Sequence, residues 1–296
     1  RATLFLESDD DPNVVLSISK ESIAEHESFN IIATLDAAAS KDVIVGLEST
    51  GTAVSNIDFT NNTPVRITTV AGGNEYGGAQ NQLYNPYGVF VDSAGNTYVA
   101  DLENNRIQKW APGATEGETV VSGVSSPLDV FVDTSGTIYV LERYSRQVTK
   151  WVSGATSGEV VAGGNGSGTA ANQLSYSNGF FVDVAGNIYV ADTNNQRIQK
   201  WAPGAAEGIT VAGGNGYGGD QNQLAYPHGV FVDSAGNTYV ADSNYGRIQK
   251  WVPGAAEGTT VISGVSSPTD VFVDTAGTIY VLERGRHQVT KWVSGA

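Results

Sequence analysis

Val89-Phe90-Val91-Asp92-Ser93-Ala94-Gly95-Asn96-Thr97-Tyr98-Val99-Ala100-Asp101, closing a few residues later on Ile107-Gln108-Lys109-Trp110, is the stretch that decides the fold. Val89 to Asp92 is a short apolar run, Gly95-Asn96 is a tight-turn pair, and Tyr98 to Asp101 is a second strand of the resulting hairpin. Ile107 to Trp110 alternates apolar and polar as a third strand, Pro112-Gly113 breaks it, and Thr119-Val120-Val121 supplies a fourth. The same letters return at Phe131 to Trp151, Phe181 to Trp201, Phe231 to Trp251 and Phe272 to Trp292. The tryptophans that close these units therefore recur at a period of about 40 to 50 residues. Four short strands per unit at such a period predict a β-propeller, in which each unit is one radial sheet unable to bury its own faces. Phe, Tyr and Trp at fixed positions are expected to fill the wedges between blades, where large rings bury the most area.

The chain falls into two parts, an all-β module over residues 1–62 and the propeller over 63–296. The last unit stops after its third strand, and Arg66-Ile67-Thr68-Thr69-Val70-Ala71-Gly72-Gly73-Asn74 reads like Glu159 to Asn165, which opens as an outer strand. Pairing that segment with the strand ending at Trp292 would close the ring and remove two open edges, which favours five blades. Against this stands a second, longer period, which carries Phe90 onto Phe231 and Phe131 onto Phe272 with nearly the same sequence. The order of units is long, short, long, long, short, so two full cycles would make six blades.

The units resemble NHL repeats, above all in Asp92 to Asp101 followed by Asn105-Arg106-Ile107-Gln108, and the resemblance extends over the whole propeller part. The short units depart from the pattern, with Glu142 or Glu283 for the Asp and Gln147 or Gln288 for the Arg. Blade number is a further departure, since the family commonly builds six. Asp101 with Arg106, Asp192 with Arg197 and Asp242 with Arg247 flank hairpins and are expected to pair as structural locks. Before the ring, Val14-Val15-Leu16-Ser17-Ile18, Phe29 to Leu35 and Val43 to Leu47 read as strands of a β-sandwich fragment. Together with Ser22 to Glu25, Gly51-Thr52-Ala53 and Asp58-Phe59-Thr60, they resemble the first half of a Calx-beta domain. Ala2-Thr3-Leu4-Phe5-Leu6 resembles such a domain's closing strand, followed by the acidic run Asp9-Asp10-Asp11. The resemblance implies calcium, a hard cation that takes carboxylate and carbonyl oxygens, held by Asp9, Asp10, Asp11, Glu25 and Asp58. Solvated acidic turns are the alternative reading.

The net charge is −15, with 11 acids against 3 bases over positions 1–62 and 20 against 13 over positions 63–296. Both parts repel polyanions and no basic run is visible, so nucleic acid is set aside as a partner. There is no cysteine and no methionine, which excludes disulfide and thiol chemistry. No apolar run approaches the ~20 residues of a membrane-spanning helix. Few Lys and Arg beside much Gly, Asn, Thr and Ser point to a bacterial or archaeal extracellular or cell-surface protein.

The three histidines, His26, His228 and His287, are scattered, and metal catalysis needs about three clustered ligands. Tyr87, Leu128, Asn178, His228 and Thr269 enter the inner strands as a heterogeneous ring of side chains. Asp129 and Asp270 stand at equivalent places in the short units, as two solvated turn carboxylates or as holders of a channel cation or water. The glycines opening the long loops at Gly72, Gly163 and Gly213 lead into a strand, which argues against a phosphate cradle. The expected binding face is Tyr76, Tyr84, Tyr217 and Tyr226 on those loops, with His228. The functional expectation is a non-enzymatic structural or adhesion protein without a cofactor other than calcium, the propeller serving as a rigid platform for protein contacts. Head-to-tail self-assembly is expected through donation of Ala2 to Leu6 to the half sandwich of another copy. The alternatives are a carbohydrate- or ligand-binding module on the tyrosine face and a metal-dependent lyase or hydrolase using the channel.

Overall fold

The computed structural model describes residues 68–293 in full and, of residues 1–67, the backbone of four strands. Those four are β1 (Ala2–Glu7), β2 (Val14–Ile18), β3 (Ile31–Leu35) and β4 (Ile44–Ser49). β2 pairs antiparallel with β3, and β1 with β4 in the register Leu4 to Leu47. The strand expected to reach a neighbouring copy, Ala2 to Leu6, is thus paired along one edge within its own chain. The acids read as calcium ligands, Asp9, Asp10, Asp11, Glu25 and Asp58, lie outside the described residues.

The second unit is a β-propeller of five blades. Blade 1 holds β5 (Pro86–Val91), β6 (Thr97–Asp101), β7 (Arg106–Trp110) and β8 (Glu118–Ser122), in that order from the axis outward. Blade 2 repeats it with β9 (Pro127–Val132) to β12 (Glu159–Gly163), blade 3 with β13 (Phe180–Val182) to β16 (Ile209–Gly213), and blade 4 with β17 (Pro227–Val232) to β20 (Thr259–Ser263). Blade 5 has three strands, β21 (Pro268–Val273), β22 (Ile279–Glu283) and β23 (Gln288–Trp292).

The turn between the first two strands of each blade begins one step earlier than the Gly-Asn pair suggests. Gly95 N–H donates to Asp92 O at 2.9 Å with Gly95 at φ +81°, and Asp92 N–H donates to Asn96 O at 3.0 Å. Asp92 Oδ1 accepts from the Ala94 and Asn96 N–H groups, and Oδ2 from the Asn96 amide at 2.8 Å. An aspartate after Phe-Val therefore organises the turn by capping its free donors. The Asn96 side-chain amide, against some desolvation, holds the Asp92 carboxyl below the usual range.

Each joint between blades is one apolar core built the same way. Tyr98, Ala100, Ile107 and Val121 of blade 1 meet Val130, Val132, Ile138, Val140 and Trp151 of blade 2. Tyr189, Ala191, Ile198 and Ala212 of blade 3 meet Val230, Val232, Val240 and Trp251 of blade 4. Each buried side chain of this size contributes about 1.5–3 kcal/mol, so the joints supply most of the driving force. Phe90, Phe131, Phe181 and Phe231 pack partly buried against these cores, and with Phe272 they form a ladder from one inner strand to the next with centroids 4.9–5.9 Å apart.

The expected closing strand is not formed. Thr68 to Asn74 carries no strand, Arg66 and Ile67 lie outside the described residues, and β23 has no outer partner among those described. Nor does any apolar core or aromatic pair among the described residues join blade 5 to blade 1.

Asp101 and Arg106 pair as the sequence predicts, with Nε to Oδ2 at 2.7 Å and Asp101 fully buried. The arginine does more than lock its hairpin. Its Nη1 donates to Gly78 O at 3.0 Å and its Nη2 to Ala79 O and Gln82 O at 2.9 Å, while Asp101 Oδ1 accepts from Tyr84 N–H at 2.7 Å. The pair thus fastens the long loop preceding β5. Arg197 and Arg247 do the same for the loops of blades 3 and 4. In the short blades there is no long loop to fasten, and glutamine takes the arginine's strand position, while in blade 5 Arg286 of the hairpin pairs with Glu283 at 2.8 Å and donates to Gly264 O. Glu142 then accepts from Ser125 N–H at 2.9 Å and Thr149 Oγ1 at 2.8 Å, and Glu283 accepts from Ser266 N–H at 2.8 Å.

Replacing Arg197 by Met leaves Asp192 buried and unpaired, so it is expected to cost about 3–5 kcal/mol in urea denaturation. Arg197→Lys keeps the charge without the planar fork and recovers only part of that loss. Equal stability of the Met variant and the parent would show that the pair does not hold the loop.

Candidate functional site

The fasteners bring two kinds of loop to one face of the propeller: the long loops that enter the inner strands and the hairpins between second and third strands. Glu103 N–H donates to Tyr84 O at 3.2 Å and Asn104 Nδ2 to Gly77 O at 2.8 Å, tying the two loop types together. Of the 13 tyrosines, Tyr98, Tyr139, Tyr189, Tyr239 and Tyr280 lie in second strands. The other eight, Tyr76, Tyr84, Tyr87, Tyr144, Tyr176, Tyr217, Tyr226 and Tyr245, all belong to this loop face and are 40–77% exposed. Tyr76 lies 5.4 Å from Tyr84 between ring centroids, and Tyr217 lies 5.9 Å from Tyr226 and 6.1 Å from Tyr245. The four loop tyrosines of the sequence analysis therefore stand as two separate pairs. Tyr144, Tyr176 and Tyr245 were not singled out, because they carry no repeat mark of their own.

Tyr176 and Tyr226 occupy an unusual backbone position. The residue before the inner strand has positive φ in every blade: Asn85 (+52°), Ser126 (+49°), Tyr176 (+54°), Tyr226 (+53°) and Ser267 (+46°). Asn tolerates this left-handed region, whereas a bulky tyrosine held there stores strain. Tyr226 N–H is held there by Gln196 Oε1 at 2.6 Å, in the way Asn105 Oδ1 holds Ser126 N–H at 2.9 Å.

Arginines of two hairpins reach the same face, which also carries the acids Glu75, Glu103 and Asp220. Arg106, Arg197 and Arg247 are consumed in the fasteners, and Lys109, Lys200, Lys250 and Lys291 lie over second-strand tyrosine rings at 5.2–5.7 Å. Of the other described bases, Lys150 lies in the third strand of blade 2, Arg143 and Arg146 in the hairpin of blade 2, and Arg284 and Arg286 in that of blade 5, where Arg286 pairs with Glu283 at 2.8 Å. Arg143 stacks on the Tyr176 ring at 5.0 Å and donates to its hydroxyl. The two arginine pairs are separated by two whole blades of sequence, so no linear charge run reveals them.

Below the loop face, the inner strands present Gly88, Asp129, Gly179, Gly229 and Asp270 at one level of the axis. A Cβ at Gly88 would lie 2.6 Å from Asp129 Oδ1 and 2.7 Å from its Cα, and one at Gly229 would meet Asp270 equally closely. Glycine in a long blade thus makes room for the aspartate of the following short blade. Burial, reinforced by the charge of Asp270, pushes Asp129 up to about 8, and burial raises Asp270 as well. His228, one residue above this level, is held below its usual value by burial and by the Arg284 charge. Asn178 Nδ2 donates to Thr193 Oγ1 at 3.0 Å and faces its own blade. Among the described residues no three His, Asp or Glu side chains converge as a metal site. A cleft of about 310 Å³ sits between the outer strand of blade 3 and Trp251, away from the axis. No helix of the described residues is long and apolar enough to cross a membrane.

Comparison with known proteins agrees with this architecture. The NHL repeat model matches residues 178–201, within blade 3, so the fold is a five-bladed β-propeller carrying an NHL repeat. No curated protein sequence matches the chain. Among solved structures it is similar to a chain of a Nidogen/Laminin complex, at 18% identity and TM-score 0.57, covering 70% of this chain and 74% of that one. It is also similar to a gluconolactonase of Xanthomonas campestris, at 14% identity and TM-score 0.53, over 69% and 70% of the two chains. A virginiamycin B lyase of Staphylococcus aureus follows at 13% identity and TM-score 0.50, over 74% and 73%. These identities show the shared fold alone. They overturn the expectation of a protein that is not an enzyme, because the same fold carries a lyase and a gluconolactonase and does not exclude catalysis. No comparison supports the Calx-beta resemblance.

The raised Asp129 has a definite pH signature. Its unfolded carboxyl ionises near pH ~4 while the folded one keeps its proton up to about 8, so this group lowers stability progressively as pH rises between those values. Asp129→Asn removes the penalty. The variant is expected to melt with the parent at pH 4 and above it at pH 8, by differential scanning calorimetry. A parallel offset at both values would show that Asp129 does not titrate in this window.

Proposed function

We propose that the chain is a protein-contact platform whose loop face takes an extended, acidic polypeptide segment, with Tyr176, Tyr226 and the arginines of blades 2 and 5 as its anchors. The observation that carries this reading is the strain at Tyr176 and Tyr226. Both are largely exposed, so packing does not require a tyrosine there, and both hold a backbone conformation that the other blades give to Asn or Ser. A costly residue kept where the core gains nothing marks a contact position. Tyrosine and arginine are the residue types that anchor protein interfaces, through large rigid area and planar charge. An acidic partner fits Arg143, Arg146 and Arg284, and the chain's overall negative charge keeps such a partner off the remaining surface. The cysteine-free, lysine-poor composition supports an extracellular or cell-surface setting.

A second reading rests on the axial carboxyls. Asp129, protonated near neutral pH, lies beneath His228 and Arg284 at the channel mouth, and a carboxyl poised near 8 is suited to proton transfer. This arrangement supports a small polar ligand of the channel rather than a metal-assisted reaction.

The first reading is tested with peptides selected from a random display library on the immobilised chain, their affinities measured by fluorescence anisotropy. Acidic sequences are expected. Tyr176→Asn with Tyr226→Asn should weaken them at least tenfold without lowering the melting temperature, since Asn relieves the strain. Binding that survives this pair, or that is lost equally on changing Lys109 and Lys200 to Ala, would overturn it.

A further inference from the structure

The chain has no cysteine with which to form a disulfide, yet its loop face holds tyrosines close enough to react with one another. Tyr76 lies 5.4 Å from Tyr84 between centroids with the ring planes 39° apart, and Tyr217 stands 5.9 Å from Tyr226 and 6.1 Å from Tyr245. All five are 40–77% exposed, so an oxidant reaches them. Cysteine and methionine, which otherwise take up oxidising equivalents first, are both absent. Of the five tryptophans, Trp110, Trp151, Trp201 and Trp251 are at most 9% exposed. The accessible electron-rich rings are therefore Trp292 and the loop-face tyrosines.

The backbone beneath these rings is fixed. Tyr76 bridges Leu83 and Tyr217 bridges Leu224, which closes each long loop on itself. Tyr84 is held at its N–H by Asp101 Oδ1 at 2.7 Å and at its carbonyl by Glu103 N–H at 3.2 Å, and the Tyr245 ring rests against Gly219, where a Cβ would overlap it. The loops do not need tyrosine for any of this. In blade 3 the same bridge joins Ser167 to Leu174, and Ser167 Oγ donates to Ser175 Oγ at 3.3 Å where blade 1 sets Tyr76 beside Tyr84. Blades 1 and 4 also build their pairs from different positions, since Tyr84 corresponds to Ala225 in blade 4 and Tyr226 to Asn85 in blade 1. The juxtaposition of two phenols is thus neither a by-product of the repeat nor a requirement of loop packing.

We propose that the Tyr76–Tyr84 pair and the cluster of Tyr217, Tyr226 and Tyr245 are modification sites, at which a haem peroxidase with hydrogen peroxide joins neighbouring rings of one chain as dityrosine. Two tyrosines each give up one electron and the phenolic proton, and hydrogen peroxide takes both electrons and both protons and leaves as two waters. The two phenoxyl radicals form a carbon–carbon bond between ring positions ortho to oxygen. Each ring then moves the hydrogen of that carbon to its oxygen, which restores both phenols. Proximity decides which bond forms. Rings held on adjoining backbone meet at an effective concentration on the order of millimolar or above, far beyond that of a second chain in dilute solution. The product is a covalent staple in a protein without disulfides: Tyr76 with Tyr84 ties the two ends of the loop before β5, and Tyr217 with Tyr245 ties the loop before β17 to the hairpin between β18 and β19. The reaction needs no binding partner, so it stands or falls separately from the contact platform.

The test treats the full chain at low micromolar concentration with a haem peroxidase and hydrogen peroxide. A parallel arm uses persulfate with a photoexcited ruthenium complex, a small oxidant that enters clefts closed to an enzyme. Coupling is read as loss of two hydrogens per link from the intact monomer, as dityrosine fluorescence, and as cross-linked peptides after proteolysis. The yield per chain should be unchanged on dilution, and the peptides should join Tyr76 to Tyr84 and Tyr217 to Tyr226 or Tyr245. Tyr76→Phe keeps the ring and removes the phenol, so it should abolish the blade 1 link, and Tyr217→Phe should abolish both blade 4 links. The double variant should retain less than about a tenth of the parent's coupling. Tyr144→Phe should leave the yield as it was, because Tyr144 is 68% exposed but belongs to no aromatic pair among the described residues. Oxygen added at Trp292 with no loss of hydrogens in either arm would overturn the proposal. So would cross-linked dimers that dominate and grow with concentration, links that persist in the double variant, or the same pairing pattern in denaturing urea.

Discussion

The contact between the Tyr–Ala–Ile side of one blade and the Val–Val–Trp side of the next is the interaction on which everything else depends. A four-stranded sheet has two apolar faces and cannot cover either by itself, so each blade is stable only between neighbours. Burial of Ile107, Ile198, Ile248, Trp110, Trp201 and Trp251 comes from repetition of that one joint. Wherever a neighbour is lacking, the same residue types become exposed, as Val289 and Val89 show. The terminal blades thus mark by contrast how much of the core belongs to the joints and how little to any single sheet.

Buried ion pairs carry the order of the joints out to the surface. Asp101–Arg106, Asp192–Arg197 and Asp242–Arg247 are costly to desolvate, but every one of them is fully used, with loop carbonyls and amide groups completing its hydrogen bonds. Their effect is to make long loops behave as part of the scaffold. The short blades retain a buried carboxylate, Glu142 or Glu283, and lack the strand arginine because the long loop it would hold is not there; Arg286 of the hairpin pairs with Glu283 instead. What looked like a departure from the repeat pattern is a consequence of loop length.

This rigid loop face is where exposed tyrosines and Arg143 meet, above an axis narrowed by paired glycine and aspartate. Positioning by scaffold rather than by neighbouring sequence explains how residues far apart in the chain present an aromatic surface on one side. It also accounts for the raised Asp129, which burial at the axis pushes up and the charge of Asp270 from blade 5 pushes further.

By itself, the sequence determined the repeat unit, its strands, the turn aspartates and the pairing of Asp101 with Arg106, because all of these are local: periods of two, turn chemistry and residues a few positions apart. It also held the longer period linking Phe90 to Phe231, whose meaning stayed ambiguous between five and six blades. Only the tertiary structure decided that, among the described residues, no strand pairing or apolar core joins blade 5 to blade 1. It alone paired Ala2–Glu7 with Ile44–Ser49, brought Arg143 and Arg284 to one face, set Asp129 near Asp270, and put Tyr176 and Tyr226 in left-handed backbone. Those features join residues far apart in the chain or rest on a dihedral angle that a neighbouring Asn or Ser would adopt as readily, so no pattern of letters records them.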